Sequence, residues 1–296
     1  MKAICLLFIC LLLGACSGDS SSPAPESPVV PIPLATVEYH KAMYPDVPEQ
    51  VSFADVLALT FEVPASRIDY GQDSLQYAEY WAPTAREGRE NLPAIVILHG
   101  GCWSNRYRID QTYSIATAFS QNGFPVWSVE YRASGDPGGS WPGTYNDIEA
   151  ALSTIDEQRK TRFNNRPLVV IGHSAGGHLA LLASSNLTFD FDVIGLAAIV
   201  DITNYANGIG VCSATAQSFM NGPPSAIPEL YALATPNLTT LSGAANLYIG
   251  GQDNVVPTSQ AINSGLTTTN STLAGHFDWI HPGTNTFSIL LLELLN

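Results

Sequence analysis

Basic side chains are scarce in this sequence, in which 12 Lys and Arg stand against 26 Asp and Glu and the formal net charge is −14 at pH 7. Proteins bind nucleic acids and anionic lipid head groups mainly through clustered Lys and Arg. The charge balance therefore argues against both kinds of partner. We expect no nucleic-acid partner and no attraction of the folded surface to anionic membranes.

Residue patterns that bind metals are also lacking. The six histidines form neither an H-E-x-x-H pair nor a cluster with cysteine, so we expect no metal site. Of the five cysteines, only Cys102 and Cys212 lie in the expected folded region. An exported protein can join such a pair in a disulfide. Two free buried thiols are the alternative, because the sequence gives no distance between the two side chains.

The apolar run near the start of the sequence, residues 3–13, is too short to span a bilayer stably. Lys2 precedes this run and Leu13-Gly14-Ala15-Cys16 ends it, a pattern that is typical of a signal peptide. The last four residues resemble a bacterial lipobox. This resemblance implies that Cys16 becomes the lipidated N-terminus of the mature protein. An ordinary cleaved signal peptide is the alternative.

A Ser- and Pro-rich stretch follows Cys16. Residues 17–33 read SGDSSSPAPESPVVPIP, a composition with almost no capacity to form a core. We therefore expect a lipoprotein signal peptide over residues 1–15, a disordered tether over 16–35 and one folded domain over 36–296. The lipobox resemblance implies a bacterial cell-envelope location, with the outer membrane and its periplasmic side favoured, and membrane contact through the lipid alone.

Segments typical of buried strands alternate with helix-forming segments along the rest of the chain. Strands are predicted at residues 92–98, 124–131, 168–171, 193–200, 245–249 and 271–273, after a hairpin at 67–81. Helices are predicted at residues 51–61, 111–122, 145–159, 258–266 and 286–295, with a further helix directly after residue 174. This alternation predicts a doubly wound, mostly parallel sheet in a three-layer αβα arrangement. The long stretch 203–237 is expected to be a loop that serves as a lid or pocket wall.

The most informative stretch joins an apolar strand to a helix through Gly172-His173-Ser174-Ala175-Gly176. A strand, a sharp turn and a helix are what a nucleophile elbow requires, and glycines on both sides of the serine let the two backbones approach closely. Ser174 is therefore the candidate nucleophile. A serine hydroxyl needs a base that removes its proton and a carboxylate that orients the base.

Asp253 and His276 follow Ser174 in the order that this elbow architecture requires, which is nucleophile, acid and histidine. Asp253 comes just after the strand predicted at 245–249, and His276 lies in a loop after the last predicted strand. Both positions are at C-terminal strand ends, where the chemistry of doubly wound sheets is found. Asp201 ranks second as the acid. His281 competes as the base, with a capping or surface role as its alternative.

Two glycines follow the strand predicted at 92–98 and are candidates for an oxyanion hole. The N–H groups of Gly100 and Gly101, together with that of Ala175 behind the nucleophile, match the need for backbone donors at a developing oxyanion. His99, the residue before the glycines, is expected to brace this loop.

Three other large side chains lie near these loops in the sequence. Trp103 either lines the substrate pocket or belongs to the core. His173 and His178 flank the elbow on both sides. We expect both histidines to pack and to form hydrogen bonds.

Six short motifs occur in a consistent order between residues 70 and 285: HGGCW, VEYR, GHSAGGHLALLAS, PELYALATP, GGQDNVVP and GHFDWIHP. Together they resemble the α/β-hydrolase superfamily, in particular carboxylesterases near the hormone-sensitive-lipase, kynurenine-formamidase and bacterial feruloyl/acetyl-xylan-esterase groups. The resemblance implies the α/β-hydrolase fold and a triad of Ser174, Asp253 and His276. Cys102 departs from the Gly, Tyr or Phe that these groups often carry there. The loop after Arg132 also differs from hormone-sensitive-lipase relatives, which favours the formamidase and feruloyl-esterase side.

The same resemblance implies an activity and a substrate class. It predicts a serine esterase that cleaves carboxylic esters through an acyl-enzyme, needs no cofactor and acts on a small-molecule ester or an acylated carbohydrate. Hydrolysis of amides or formamides by the same triad is one alternative. A catalytically idle, surface-tethered binding protein that uses the fold as a scaffold is the other.

Overall fold

The computed structural model describes residues 38–296. The predicted signal peptide, the lipidation site Cys16 and the predicted tether over residues 16–35 lie outside the described residues. Within the described part, no helix combines the length and the apolar character that crossing a membrane requires.

Eight strands of the described residues form one sheet. They are β1 (Ser66–Asp69), β2 (Tyr77–Trp81), β3 (Ala94–Leu98), β4 (Val126–Val129), β5 (Leu168–His173), β6 (Asp192–Leu196), β7 (Ala245–Gly250) and β8 (Thr267–Ser271). Their order in the sheet is β1-β2-β4-β3-β5-β6-β7-β8. The two pairs that involve β2 are antiparallel, as the predicted hairpin requires, and the other pairs are parallel.

Helices connect the parallel strands. They are α1 (Phe53–Leu57), α2 (Tyr113–Gln121), α3 (Gly143–Arg162), α4 (Ala175–Asn186), α5 (Ile202–Asn207), α6 (Ser213–Met220), α7 (Pro228–Ala234), α8 (Ser259–Ile262) and α9 (Asn285–Leu295). Short 3-10 turns lie at Tyr39–Ala42, Ile109–Thr112 and Asp278–Ile280.

The apolar strands bury both faces of the sheet. In β3, Val96 and Leu98 point to a cluster that contains α3 and α4, whereas Ile95 and Ile97 point to a cluster with α2 and α9. Alternate side chains of a strand face opposite sides, so a strand that is covered on both sides is apolar throughout. The prediction of a doubly wound, mostly parallel sheet between two layers of helices is therefore confirmed.

The strand predicted at 193–200 was placed too long, because β6 ends at Leu196. Ala197 adopts a left-handed conformation, with φ of 48°. Beyond it, the N–H of Ile199 donates to the carbonyl of Ser174 at 3.3 Å, so the chain has left the sheet and passes beside the elbow. Residues 197–200 are buried there, which accounts for the apolar run that mimicked a strand.

The last strand was predicted at 271–273, and this was wrong, since β8 is Thr267–Ser271. It pairs in parallel with β7, with Thr267 opposite Asn246 and Ser271 opposite Gly250. β8 is an edge strand with the polar sequence TTTNS. It carries no apolar run, which is the pattern that predicts a buried strand.

The stretch 203–237 was expected to be a loop, but most of it is helical and contains α5, α6 and α7. One buried side chain ties this insert to the loop after β7. The hydroxyl of Tyr205 donates to the carbonyl of Val255 at 3.0 Å and accepts from the N–H of Cys212 at 3.2 Å. The insert is thereby held beside the C-terminal ends of the strands.

Candidate active site

Ser174 lies on the sharp turn between the end of β5 and the start of α4. Its backbone has φ of 54° and ψ of −116°, a conformation that a residue with a side chain adopts only under strain. The N–H of Ser174 donates to the carbonyl of Leu196 at 2.9 Å, which anchors the turn to β6. The neighbouring β6 backbone therefore helps to hold this strained turn.

The glycine two residues after the serine is required by packing. A Cβ atom at Gly176 would lie 2.2 Å from the carbonyl oxygen of Leu98 in β3. Any side chain at this position would clash with the strand. Glycine therefore lets the first turn of α4 contact the strand backbone directly. This contact gives the G-x-S-x-G spacing its physical reason.

Asp253 and His276 form a buried pair at the same edge of the sheet. The Nδ1 atom of His276 lies 2.8 Å from Oδ2 of Asp253, and both side chains are almost fully buried. The other carboxylate oxygen of Asp253 accepts from the N–H groups of Val255 and Val256, at 2.8 and 2.9 Å. A carboxylate accepts only, so Nδ1 carries the proton and Nε2 is left with a free lone pair.

The surroundings of Asp253 keep its carboxylate ionised. Burial raises its pKa, but the hydrogen bond and the charge of His276, with the N–H groups of Val256 and Val255, outweigh burial. The pKa of Asp253 therefore lies below its ordinary value of 3.8. The charge persists at neutral pH and can stabilise a protonated His276.

The competing acid and base have other roles. Asp201 is exposed, and its side chain accepts from the N–H of Asn204 at 2.8 Å, which caps the N-terminus of α5. His281 is buried and accepts at Nδ1 from the N–H of Gly283, at 3.1 Å. The structure thus brings Asp253, and not Asp201, to His276.

A cavity of about 150 Å³ opens at Ser174 and His276. Its other walls include the apolar side chains of Phe53, Val211 and Val255. Ligand sites for drug-sized molecules are usually of about 300–1,000 Å³, so this cavity is small. It has the size of a site for a compact chemical group beside the serine.

Hydrogen bonds and ring stacking hold the loop after β3, which carries Gly100 and Gly101, in place. The carbonyl of Gly100 accepts from Nδ1 of His99 at 2.8 Å and from the side-chain amide of Gln111 at 3.4 Å. The ring of His99 stacks on Tyr131, whose hydroxyl donates to the His99 carbonyl at 2.7 Å. His99 therefore occupies the bracing position that the sequence predicts.

The predicted oxyanion donors lie around the elbow. Gly101 lines the cavity together with Ser174. The backbone of Gly100 is close to the elbow, because a Cβ at this residue would be 3.2 Å from Cβ of Ser174. Ala175 is the first residue of α4, where an N–H has no partner within the helix.

The sequence did not single out Glu130, which lies directly after β4 beneath the Gly100 loop. Its carboxylate accepts from the N–H groups of Ile109 and Tyr131, both at 3.0 Å, and lies 3.3 Å from Nε2 of His99. Burial raises the pKa of Glu130, but its hydrogen bonds and the charge of His99 outweigh burial. The pKa of Glu130 therefore lies below its ordinary value of 4.5. An acid placed directly after the buried strand β4 was the signal that could have identified it.

Trp103 belongs to the core. Its side chain is 1% exposed, stacks on Phe219 with ring centroids 5.3 Å apart and meets His178 edge-on at 5.4 Å. The residues that line the cavity at Ser174 do not include it. This placement favours the core alternative over the pocket role.

Cys102 and Cys212 form a disulfide, with their Cα atoms 5.4 Å apart. Both cysteines line the cavity, and the bridge ties the loop after Gly101 to the start of α6.

Within residues 38–296, no three His, Cys, Asp or Glu side chains are grouped so that they could hold a metal ion.

Solved structures with low sequence identity share this architecture. Esterase B from Lactobacillus rhamnosis is 19% identical, with a TM-score of 0.61, and the match covers 82% of this chain and 90% of that one. A truncated carbohydrate esterase from gut microbiota is 21% identical, with a TM-score of 0.59 and coverage of 79% and 96%. A bifunctional GH43-CE protein from Bacteroides eggerthii is 20% identical, with a TM-score of 0.61 and coverage of 79% and 35%. These likenesses show the α/β-hydrolase fold that the motifs predicted.

Sequence comparison places the chain in a family. Versiconal hemiacetal acetate esterase from Aspergillus parasiticus is 29% identical over 165 residues, which are 53% of this chain. The match spans about half, 49%, of that protein's own length. The BD-FAE family model matches residues 81–264, which include the β2 end, the elbow and Asp253. The chain therefore belongs to the BD-FAE family.

Proposed function

We propose that this protein is a serine hydrolase that cleaves carboxylic esters through an acyl-enzyme. One observation carries the proposal. A serine on a strained elbow shares a small cavity with a histidine whose Nδ1 is bonded to a buried carboxylate at 2.8 Å. This set supplies a nucleophile, a base and a group that orients the base.

The reaction has two steps. The Ser174 hydroxyl oxygen attacks the ester carbonyl carbon while Nε2 of His276 takes its proton. The tetrahedral intermediate collapses, the alcohol leaves with that proton, and the acyl group stays on Ser174. Water then attacks the acyl-enzyme, again giving a proton to His276, which returns it to the serine oxygen as the acid departs.

Negative charge develops on the carbonyl oxygen in both steps. The N–H groups of Gly100, Gly101 and Ala175 are the donors that we assign to it. Loss of one such donor typically lowers kcat by about 10²–10³-fold. The hydrogen bonds that His99 and Gln111 donate to the Gly100 carbonyl hold this loop in position before the substrate binds.

Asp253 stabilises the imidazolium that His276 becomes during each step. Its carboxylate is fixed by two backbone N–H groups and is ionised because its pKa is lowered. The ionised partner also holds the imidazole in the tautomer that leaves Nε2 free.

The substrate that we propose is a small-molecule ester or an acylated carbohydrate with a short acyl group. Relatives whose names describe an acetate esterase and a carbohydrate esterase support this class. The cavity volume supports the short acyl group, because about 150 Å³ accommodates a molecule the size of benzene. A feruloyl group, with an aromatic ring and a three-carbon arm, is larger than that.

Turnover of matched substrates tests the proposal. We expect the purified protein to hydrolyse p-nitrophenyl acetate and to lose this activity in Ser174→Ala. N-formyl anilide and p-nitroacetanilide are compared under the same conditions. Preference for the formyl anilide would support the formamide alternative. Binding without turnover of any of the three would support the idle binding protein.

We further propose that the mature protein is anchored in the bacterial envelope through a lipid on Cys16. The support is the Leu13-Gly14-Ala15-Cys16 sequence and the Ser- and Pro-rich stretch after it. Metabolic labelling with an alkyne fatty acid should mark the wild type and not Cys16→Ser. Equal labelling of both would contradict the anchor at this residue.

A further inference from the structure

The residue next to the nucleophile also holds the backbone of the base. The Nε2 atom of His173, at the end of β5, lies 3.0 Å from the carbonyl oxygen of His276. A carbonyl oxygen only accepts, so Nε2 of His173 carries a proton and donates it. This bond joins positions that are 103 residues apart in sequence.

The His173 ring fills the space between the base and the oxyanion loop. It is 3% exposed, and its centroid lies 4.7 Å from that of His276. The second nitrogen, Nδ1, is buried and has no hydrogen-bond partner among residues 38–296. A Cβ atom at Gly100 would lie 2.7 Å from this nitrogen, so the ring is wedged against the Gly100 backbone.

Burial, helped by the neighbouring His276, lowers the pKa of His173 to about 3. The ring is therefore neutral at physiological pH and has a single proton to give. Because Nε2 holds that proton, the bond to His276 is formed throughout the pH range in which an esterase would work.

The turn that bears the base is held from the other side by Asp278. One of its carboxylate oxygens accepts from the N–H of Gly275 at 2.5 Å and from that of Gln50 at 2.8 Å. Asp278 thus fixes the peptide between Ala274 and Gly275, and His173 fixes the peptide that follows His276. The position of the imidazole is therefore set by its side-chain bond to Asp253 together with these two backbone anchors.

We propose that His173 is a positioning residue that sets the His276 imidazole relative to Ser174 by donating from Nε2 to the His276 carbonyl. This inference rests on the proposed function. It differs from ordinary packing because it assigns the effect to one donor atom at one position of the ring.

The chain offers a matched control in His178. Its side chain is also fully buried, Nε2 lies 2.7 Å from the carbonyl oxygen of Ala234, and Nδ1 has no hydrogen-bond partner in the described part of the chain. Burial lowers its pKa to about 4. Its bond joins α4 to α7 and does not touch His276, so its loss removes an equivalent hydrogen bond from elsewhere.

The experiment compares His173→Gln, His173→Asn and His178→Asn by kcat and KM for p-nitrophenyl acetate and by thermal unfolding. Gln extends a donor to the position of Nε2, whereas Asn reaches only that of Nδ1. We expect His173→Asn to lower kcat by about 10–100-fold with KM nearly unchanged, because a base displaced by about 1 Å loses rate in this range. His173→Gln should recover most of that loss. His178→Asn should lower the unfolding temperature and keep kcat.

Three outcomes would overturn the proposal. They are a wild-type kcat in His173→Asn, equal losses of kcat in His173→Asn and His173→Gln, or a loss in His178→Asn as large as that in His173→Asn. Wild-type turnover that Ser174→Ala lacks checks the proposed function in the same assay. The ratio between the two His173 variants then tests the positioning role separately.

Discussion

Nδ1 of His276 and Oδ2 of Asp253 lie 2.8 Å apart, although the two residues come from separate loops that follow β7 and β8. Parallel strands bring such loops to one edge of the sheet, where the elbow after β5 also lies. The pair is buried, so water does not compete for the bond. Its removal should therefore change the chemistry of His276 and also lower stability, because one buried group is left without its partner.

Asp253→Asn should lower kcat by about 10³–10⁴-fold, because the amide favours the wrong imidazole tautomer and gives no charge to the imidazolium. Asp201→Asn is the control, since Asp201 caps α5 and does not contact His276. Steady-state kinetics on p-nitrophenyl acetate measure both. A deeper loss in Asp201→Asn would mean that the acid is wrongly assigned.

Acyl chain length should be limited by the cavity. We expect kcat/KM to fall at least about 10-fold from p-nitrophenyl butyrate to the octanoate, since one unaccommodated methylene is worth about 1–3 kcal/mol. Phe53→Ala removes a cavity wall and should restore activity on the octanoate. Phe61→Ala, which removes a ring that packs on Tyr113 away from the cavity, should not. Identical length profiles in all three proteins would exclude Phe53 as a determinant.

The Cys102–Cys212 disulfide should contribute to stability. It joins residues 110 positions apart, and closing a loop of that length typically contributes about 2–5 kcal/mol to the free energy of unfolding. The double variant Cys102→Ala/Cys212→Ala should show this loss in urea denaturation. A reducing agent should destabilise the wild type and leave the variant unchanged. Insensitivity of the wild type would show that the bridge does not form.

Stability should decrease as the pH falls below the ordinary histidine pKa of 6.5. Burial lowers the pKa of His40 and His178 to about 4 and that of His173 to about 3. The unfolded chain then binds more protons than the folded one, so the contribution is complete above pH 6.5. It is lost as the pH falls from 6.5 to about 4 for His40 and His178, and to about 3 for His173. For each histidine, the free energy of unfolding should fall by about 1.4 kcal/mol per pH unit in that window.

Urea midpoints between about pH 7.5 and 5 measure this slope. His178→Asn removes one of these groups and should make the slope shallower. A slope that is the same in the wild type and in this variant would contradict the assignment of His178 as a buried neutral ring.

The elbow could be predicted because its sequence pattern involves only residues that are adjacent in the chain. An apolar strand, two glycines and a helix can be recognised without knowing their neighbours, and the order of Asp253 and His276 followed from the strand ends. The bounds predicted for the last strand were wrong because β8 lies at the edge of the sheet, and its polar residues lack the apolar pattern of a buried strand. Residues 197–200 looked like a strand because they are buried in a bend.

Contacts between segments that are distant in sequence were the part that could not be predicted. The bond from His173 to the His276 carbonyl involves an acceptor that every residue carries, so no residue type signals it. The disulfide likewise depends on the position of α6, which lies in a stretch that was expected to be a loop. Both features arise from tertiary packing, which propensity and periodicity do not encode.

The most direct test of the proposed function is labelling of the purified protein with a fluorophosphonate, followed by mass spectrometry of its peptides. We predict a single adduct on the peptide that contains Ser174, and no adduct and no turnover of p-nitrophenyl acetate in Ser174→Ala. A folded wild-type protein that takes no label, or a Ser174→Ala variant that is labelled equally, would contradict the assignment of Ser174 as the nucleophile.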